Sequence, residues 1–66
     1  MQITVNGEKR EVRPGTTVAG LLKELGIDYR YMALERNRII VPKQEYEKVV
    51  LQEGDEIEVV RFVGGG

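Results

Sequence analysis

The sequence predicts a single α+β domain in which a mixed sheet of four to five strands wraps round one helix. A chain of 66 residues has room for only one core. Its first segment alternates apolar and polar residues up to a hairpin signal, and one amphipathic stretch of helical spacing is followed by several short β-branched runs. Strands and one helix in this order are typical of helix-on-sheet packing.

The N-terminal hairpin is the first predicted element. Residues 1–5 alternate in polarity, and the Asn6-Gly7 pair readily takes the positive φ angles that a tight two-residue turn requires. The return strand is expected over 8–13. Pro14-Gly15 then ends this strand.

The helix is expected to begin at Thr16 or Thr17, because a threonine hydroxyl can accept a hydrogen bond from the free amides of a first helical turn. Gly26 supplies the left-handed residue that commonly ends a helix. Between these signals the apolar residues recur at helical spacing and predict one buried stripe. They are Val18, Leu21, Leu22 and Leu25.

Two short strands are predicted after the helix. The first covers 31–36, with Met32 and Leu34 facing inward. The second is a brief edge strand at 39–41, which Pro42 stops because proline has no amide hydrogen to donate.

The last strand is predicted over 56–63, after a turn at 53–55. Its first half alternates, so that Ile57 and Val59 enter the core and Val60 faces outward. A single helical turn is expected at 43–47. The three tyrosines are interpreted as residues of the core rim with hydroxyls in water. They are Tyr29, Tyr31 and Tyr46.

Composition argues against several classes of function. The chain has no cysteine and no histidine, so it can build neither a thiolate site nor a histidine acid–base pair. Its 10 basic and 11 acidic residues are interspersed, which argues against a nucleic-acid partner. No apolar run approaches the length of a membrane span or a signal peptide. We therefore expect a cytoplasmic protein that does not bind membranes, with no catalytic residues and no bound cofactor.

Four carboxylates cluster around one turn and raise the question of a metal site. They are Glu53, Asp55, Glu56 and Glu58. Their spacing lacks the pattern of a calcium loop. We expect no metal site here and interpret the turn as an acidic feature that steers a basic partner toward the adjacent tail.

The chain ends in Gly64-Gly65-Gly66, which is its most informative feature. Glycines add no packing and resist ordering, so they do not stabilise a domain. One interpretation is a frayed or truncated end. The other is chemical: once the carboxylate of Gly66 is converted to an acyl adenylate, its carbonyl is open to attack, and Gly65 can thread a narrow channel. Three extended residues reach about 10 Å.

The whole chain resembles the ubiquitin-like sulfur carriers, most closely the ThiS family of thiamin biosynthesis. The motifs that carry the resemblance stand in the family's order in a chain of the family's length. They are Asn6-Gly7, Gly15-Thr16-Thr17-Val18, Leu21-Leu22, Ala33, Asn37, Ile40-Val41-Pro42, Gly54-Asp55 and Val63-Gly64-Gly65-Gly66. Arg36 departs from an often apolar position, and we expect its stem to cover apolar surface with its charge in water.

The resemblance implies a β-grasp body at 1–63 and a flexible tail at 64–66. It also implies that a ThiF-type adenylyltransferase, related to ubiquitin-activating enzymes, uses ATP and magnesium to adenylate the carboxylate of Gly66. Sulfur from a donor linked to a cysteine desulfurase then gives a thiocarboxylate, which supplies a ThiG-type thiazole synthase. Gly64 and Gly65 thread the partner's channel. The carrier would be a co-substrate, not an enzyme.

The outward sheet face beside the tail is the predicted docking surface. Val60, Phe62 and Val63 are its candidate residues, since they lie just before the glycines and aromatic anchors are enriched in interface centres. Phe62 has an alternative role, closing the bottom of the core. Arg61 either pairs with an acidic patch of a partner or keeps the strand end solvated.

Three alternatives stay open. The first is a sulfur carrier for molybdopterin or another pathway, although such carriers approach their diglycine through a proline-containing segment that this chain lacks. The second is a ubiquitin-like modifier that joins Gly66 to a lysine. The third is an interaction domain with an inert tail.

Overall fold

The computed structural model describes residues 1–61. Five strands form one sheet on which a single α-helix packs, and the bounds are β1 Gln2–Val5, β2 Glu8–Glu11, α1 Val18–Glu24, β3 Met32–Arg36, β4 Ile39–Ile40 and β5 Glu56–Arg61. The order in the sheet is β2-β1-β5-β3-β4. The central pair, β1 and β5, is parallel, whereas the other neighbours are antiparallel. The predicted mixed sheet is confirmed, with five strands.

The first hairpin turns as the sequence predicts. Asn6 and Gly7 have φ angles of 49° and 83°, in the left-handed region that a two-residue hairpin turn needs. The return strand β2 is two residues shorter than predicted and ends at Glu11. Beyond it, the Val12 amide still donates to the Met1 carbonyl at 2.9 Å, so the two chain segments stay paired.

Helix α1 has both of the predicted end signals. The Thr17 hydroxyl accepts a hydrogen bond from the Gly20 amide at 3.0 Å and caps the N-terminus. At the other end Gly26 has a φ of 69°. Its amide donates to the Lys23 carbonyl at 3.1 Å and the Ile27 amide donates to the Leu22 carbonyl at 2.9 Å, the two bonds of a Schellman motif.

The core lies between α1 and the sheet. Met32, Leu34 and Ile57 are buried, as predicted, whereas Val59 is half-buried at its edge. The buried apolar residues are Ile3, Val12, Val18, Leu21, Leu22, Met32, Leu34, Val41, Tyr46, Leu51 and Ile57. Some of these residues lie on the helix and others on the sheet or its connections, so the helix and the sheet bury each other's apolar side chains.

Tyr46 corrects one expectation. It is not at the rim with a wet hydroxyl but is 1% exposed, because the 3₁₀ turn Lys43–Glu45 brings it over the helix, where its carbonyl accepts from the Ala19 amide at 2.8 Å. Its ring meets Tyr29 edge-on, with 5.1 Å between centroids. Burial raises the pKa of the Tyr46 hydroxyl. The nearby backbone of Leu34 acts in the opposite direction but has the smaller effect.

Asp55 is a buried polar hub at the start of β5. Its carboxylate accepts hydrogen bonds from Arg36 Nε at 2.8 Å, from the Gln52 amide at 2.8 Å and from Asn37 Nδ2 at 3.1 Å. Burial raises the pKa of Asp55, but the three hydrogen bonds outweigh it, so the pKa lies below that of an ordinary carboxyl. The hub joins the β3–β4 turn to the turn before β5.

Two expectations about this region are therefore wrong. The charge of Arg36 does not stand free in water but pairs with Asp55, which explains an arginine at an inward strand position. Asp55 does not belong to an exposed acidic turn, since it faces inward while Glu53, Glu56 and Glu58 stay exposed.

The hub predicts a pH dependence of stability. Because the pKa of Asp55 is lower in the folded than in the unfolded chain, the ionised carboxylate stabilises the fold at pH above about 4, and this contribution disappears as the pH falls through the folded pKa. We expect Asp55→Asn to lower the free energy of unfolding at pH 7 by about 1–3 kcal/mol. Its deficit relative to the wild type should shrink in acid.

Urea unfolding at a series of pH values measures both effects. Glu56→Gln is the matched control, because it removes the same charge from the neighbouring exposed residue. Equal pH profiles for the two variants would contradict the role given to Asp55.

Candidate functional site at the end of the last strand

Strand β5 carries the chain toward the glycine tail from the centre of the sheet, between β1 and β3. Residues 62–66 lie outside the described part of the chain. The roles assigned to Phe62 and Val63 in docking, to Gly64 and Gly65 in threading and to Gly66 as the modified residue therefore stay predictions, as does the flexible tail. The described residues define the body from which that tail emerges.

Val60 lies on the outward face of the sheet, as predicted, and is 47% exposed. It pairs directly with Ala33 on β3, and one row further along, Ile40 of β4 stands on the same face and is 65% exposed. We call Val60, Ala33 and Ile40 the outer patch. Cross-strand neighbours on one face lie close enough to form one contact surface, so Val60 belongs to a wider apolar area than the sequence indicated.

Carboxylates border the outer patch. Glu58 and Glu35 are directly opposite each other on the same face, in the row that also contains Ile40. Within residues 1–61 no group of three or more histidine, cysteine, aspartate or glutamate side chains is placed to hold a metal ion. The two glutamates thus give the outer patch a negative border that suits a basic partner.

Asn6 is a positioning residue that the sequence analysis saw only as a turn former. Its backbone amide donates a hydrogen bond to the Ile57 carbonyl at 2.8 Å. Its side-chain oxygen Oδ1 accepts a hydrogen bond from the Val59 backbone amide at 2.7 Å. The side chain thus continues the pairing of β1 with β5 past the end of β1. In the sequence, the one feature that could have indicated this role is the presence of Asn, and not Asp or Gly, at the first position of the turn.

None of the helices in the described part of the chain is long and apolar enough to span a bilayer. Residues 1–61 thus provide a strand end at the centre of the sheet, an apolar patch on one side of it and charged side chains around it.

Asn6 gives a direct test of how β5 is held. We expect Asn6→Gly, which keeps a residue tolerant of positive φ but removes Oδ1, to lower the free energy of unfolding by about 1 kcal/mol. The Val59 amide should exchange its hydrogen faster. Asn6→Asp retains an acceptor and should stay close to the wild type. Amide hydrogen exchange by NMR measures the difference. Unchanged protection of the Val59 amide in Asn6→Gly would contradict the role given to Asn6 Oδ1.

The chain matches the ThiS family model over residues 3–66. It is 35% identical to the sulfur carrier protein ThiS of Bacillus subtilis, over 97% of this chain and 98% of that one. It is also 48% identical to a segment of a thiazole synthase of Paramagnetospirillum magneticum, over 100% of this chain and 20% of that protein. The chain thus spans about a fifth of the length of that relative.

The fold comparison agrees. A crystal structure of the thiamine biosynthesis protein ThiS from Geobacter metallireducens superposes with a TM-score of 0.86 at 29% identity and covers 100% of both chains. The expected β-grasp fold and family are confirmed. The chain belongs to the ThiS family.

Proposed function

We propose that this chain is a sulfur carrier of thiamin biosynthesis, in which the carboxylate of Gly66 becomes a thiocarboxylate that donates sulfur to the thiazole ring. The observation that carries this proposal is the family match over residues 3–66, which includes the glycine tail as well as the folded body. A β-grasp body alone occurs with many functions, so the tail is the more specific part of the match.

The proposed chemistry has two steps. A carboxylate oxygen of Gly66 attacks the α-phosphorus of ATP, forming the acyl adenylate as pyrophosphate leaves. Hydrosulfide, or a donor equivalent to it, then attacks the carbonyl carbon, forming a C–S bond as the C–O bond to AMP breaks. The ATP and magnesium belong to a ThiF-type adenylyltransferase. A cysteine desulfurase supplies the sulfur as a persulfide, and a thiol releases it as hydrosulfide while forming a disulfide. The carrier itself binds no cofactor.

The folded body supplies recognition in this scheme. The outer patch gives the partner an apolar contact directly beside the end of β5. The glutamates at the border of the patch favour basic side chains on the partner around that contact. The hydrogen bond that Asn6 Oδ1 accepts from the Val59 amide holds β5 in register up to Val59. A partner that binds the outer patch therefore meets this part of β5 in a defined position beside it.

Thiazole synthase is the proposed acceptor of the sulfur. The support is that a thiazole synthase of Paramagnetospirillum magneticum contains a segment 48% identical to the whole of this chain. A carrier-like segment within that polypeptide keeps donor and acceptor at a high effective concentration. We place the reaction in the cytoplasm, because transferable sulfur at the reduced level needs a reducing compartment.

Intact mass spectrometry tests the proposal. The chain is incubated with the adenylyltransferase of the same cell, ATP, magnesium and a sulfur donor, and we expect a mass gain equal to the difference between sulfur and oxygen. A chain extended by one alanine after Gly66 should fold but gain no mass, since its terminal carboxylate carries a Cβ and lies one residue too far along.

Two results would overturn the proposal. One is the absence of any adenylate on the wild-type chain under these conditions. The other is a mass gain on the alanine-extended chain equal to that of the wild type, which would place the chemistry away from the tail. A conjugate to lysine in place of a thiocarboxylate would identify a protein modifier.

A further inference from the structure

A groove lies between the first hairpin and the C-terminal end of α1, on the opposite side of β5 from the outer patch. Its floor is apolar and consists of Val5, Leu25 and Ile27, all half-buried. The groove is a shallow cleft open to solvent, with a volume of about 440 Å³. We call it the hairpin groove.

The rim of the hairpin groove is mainly basic. Lys9, Arg10 and Arg61 line it, against a single carboxylate, that of Glu8. Arg10 is opposite Ile3 and Arg61 is opposite Met32, so both arginines stand on the sheet face that α1 covers, beyond the end of the helix. Within residues 1–61 none of the three cations takes part in an ion pair. The groove therefore suits an anionic occupant with an apolar part.

Arg61 also fixes where the groove stands relative to the chemistry. Gly66 is five positions further along the chain, a span of roughly 16–18 Å if the tail is extended. This exceeds the length of an arginine side chain, so the Arg61 guanidinium would not reach the carboxylate of an extended tail. Its charge would instead be available to the surface of a partner around the end of β5.

Val60 and Arg61 are consecutive residues of β5, so their side chains point to opposite faces of the sheet. A partner that surrounded the end of β5 would contact both sides of it. On the outer side it would meet the outer patch, and on the inner side it would meet the hairpin groove. These two surfaces differ in charge, which orients the carrier about the strand axis.

We propose that the hairpin groove is a docking site for a segment of the activating adenylyltransferase, at the mouth of the channel that takes the tail. The segment carries carboxylates that pair with Arg10 and Arg61, beside an apolar side chain that covers the groove floor. This inference rests on the proposed function, because it requires that the tail enter such an enzyme. It goes further in assigning a second, basic contact surface to the carrier.

Steady-state ATP–pyrophosphate exchange by the adenylyltransferase of the same cell tests the proposal, with the carrier as the varied substrate. We expect Arg10→Glu and Arg61→Glu each to raise the KM for the carrier about tenfold, and the double variant more, with kcat nearly unchanged. Added salt should raise the KM of the wild type and have less effect on the double variant. Both arginines are exposed, so the fold should be retained.

Lys48→Glu is the matched control. It makes the same change of charge on an exposed lysine near the N-terminal end of α1, where the Val18 amide donates to the carbonyl of Val49. Its KM should equal that of the wild type. Circular dichroism checks that the charge-reversal variants are folded. If they are not, Arg10→Gln and Arg61→Gln take their place, and we expect the variant with both substitutions to have a KM raised several-fold.

The outcomes separate this proposal from the function it rests on. If the wild-type chain is never adenylated, both fall. If the wild type is adenylated and the double variant behaves like Lys48→Glu, the groove proposal alone is wrong. If the double variant keeps its activation but loses binding to thiazole synthase, the occupant is the sulfur acceptor and the proposal is likewise overturned.

Discussion

Strand β5 lies at the centre of the sheet, and polar side chains from other elements hold both of its ends. At its start, the carboxylate of Asp55 collects hydrogen bonds from Arg36, Asn37 and Gln52. Near its end, the side chain of Asn6 accepts a hydrogen bond from the Val59 amide. A 66-residue domain has a small core, so these directed bonds matter more for register than they would in a larger protein. Everything that the body offers a partner depends on where this strand ends.

This arrangement divides the work between body and tail. The body has a five-stranded sheet, an apolar outer patch, a basic groove and, within residues 1–61, no set of side chains suited to a metal ion. The tail has no side chains at its last three positions. In the function proposed above, glycine there leaves the terminal carbonyl open to reagents that the partner brings, and the partner's binding energy comes from contacts with the body.

Local signals predicted much of the fold. Asn6-Gly7, Thr17 and Gly26 mark turns and helix ends through the backbone angles and caps that they favour, and the apolar spacing of the helix identified its buried stripe. The errors came from contacts between residues distant in sequence. Arg36 and Asp55 are 19 positions apart and Asn6 and Val59 are 53 apart, so their pairing has no local pattern. Tyr46 was misplaced for the same reason, since its burial depends on where a 3₁₀ turn meets the helix.

The candidate site shows the same division. Period-two alternation was enough to place Val60 outward, yet the outer patch appears only when β3 and β4 are paired beside β5. The hairpin groove had no sequence signal, because Arg10 on β2 and Arg61 on β5 come together only when β1 pairs with both strands.

The central claim is that the folded body supplies recognition while the tail supplies only the reacting group. ATP–pyrophosphate exchange by the adenylyltransferase, with the full chain compared with a peptide of residues 56–66, tests this most directly. We expect the peptide, which has the same glycine tail but no sheet, to be activated with a kcat/KM lower by at least about 100-fold. Equal values for the peptide and the full chain would show that the folded body does not contribute to recognition.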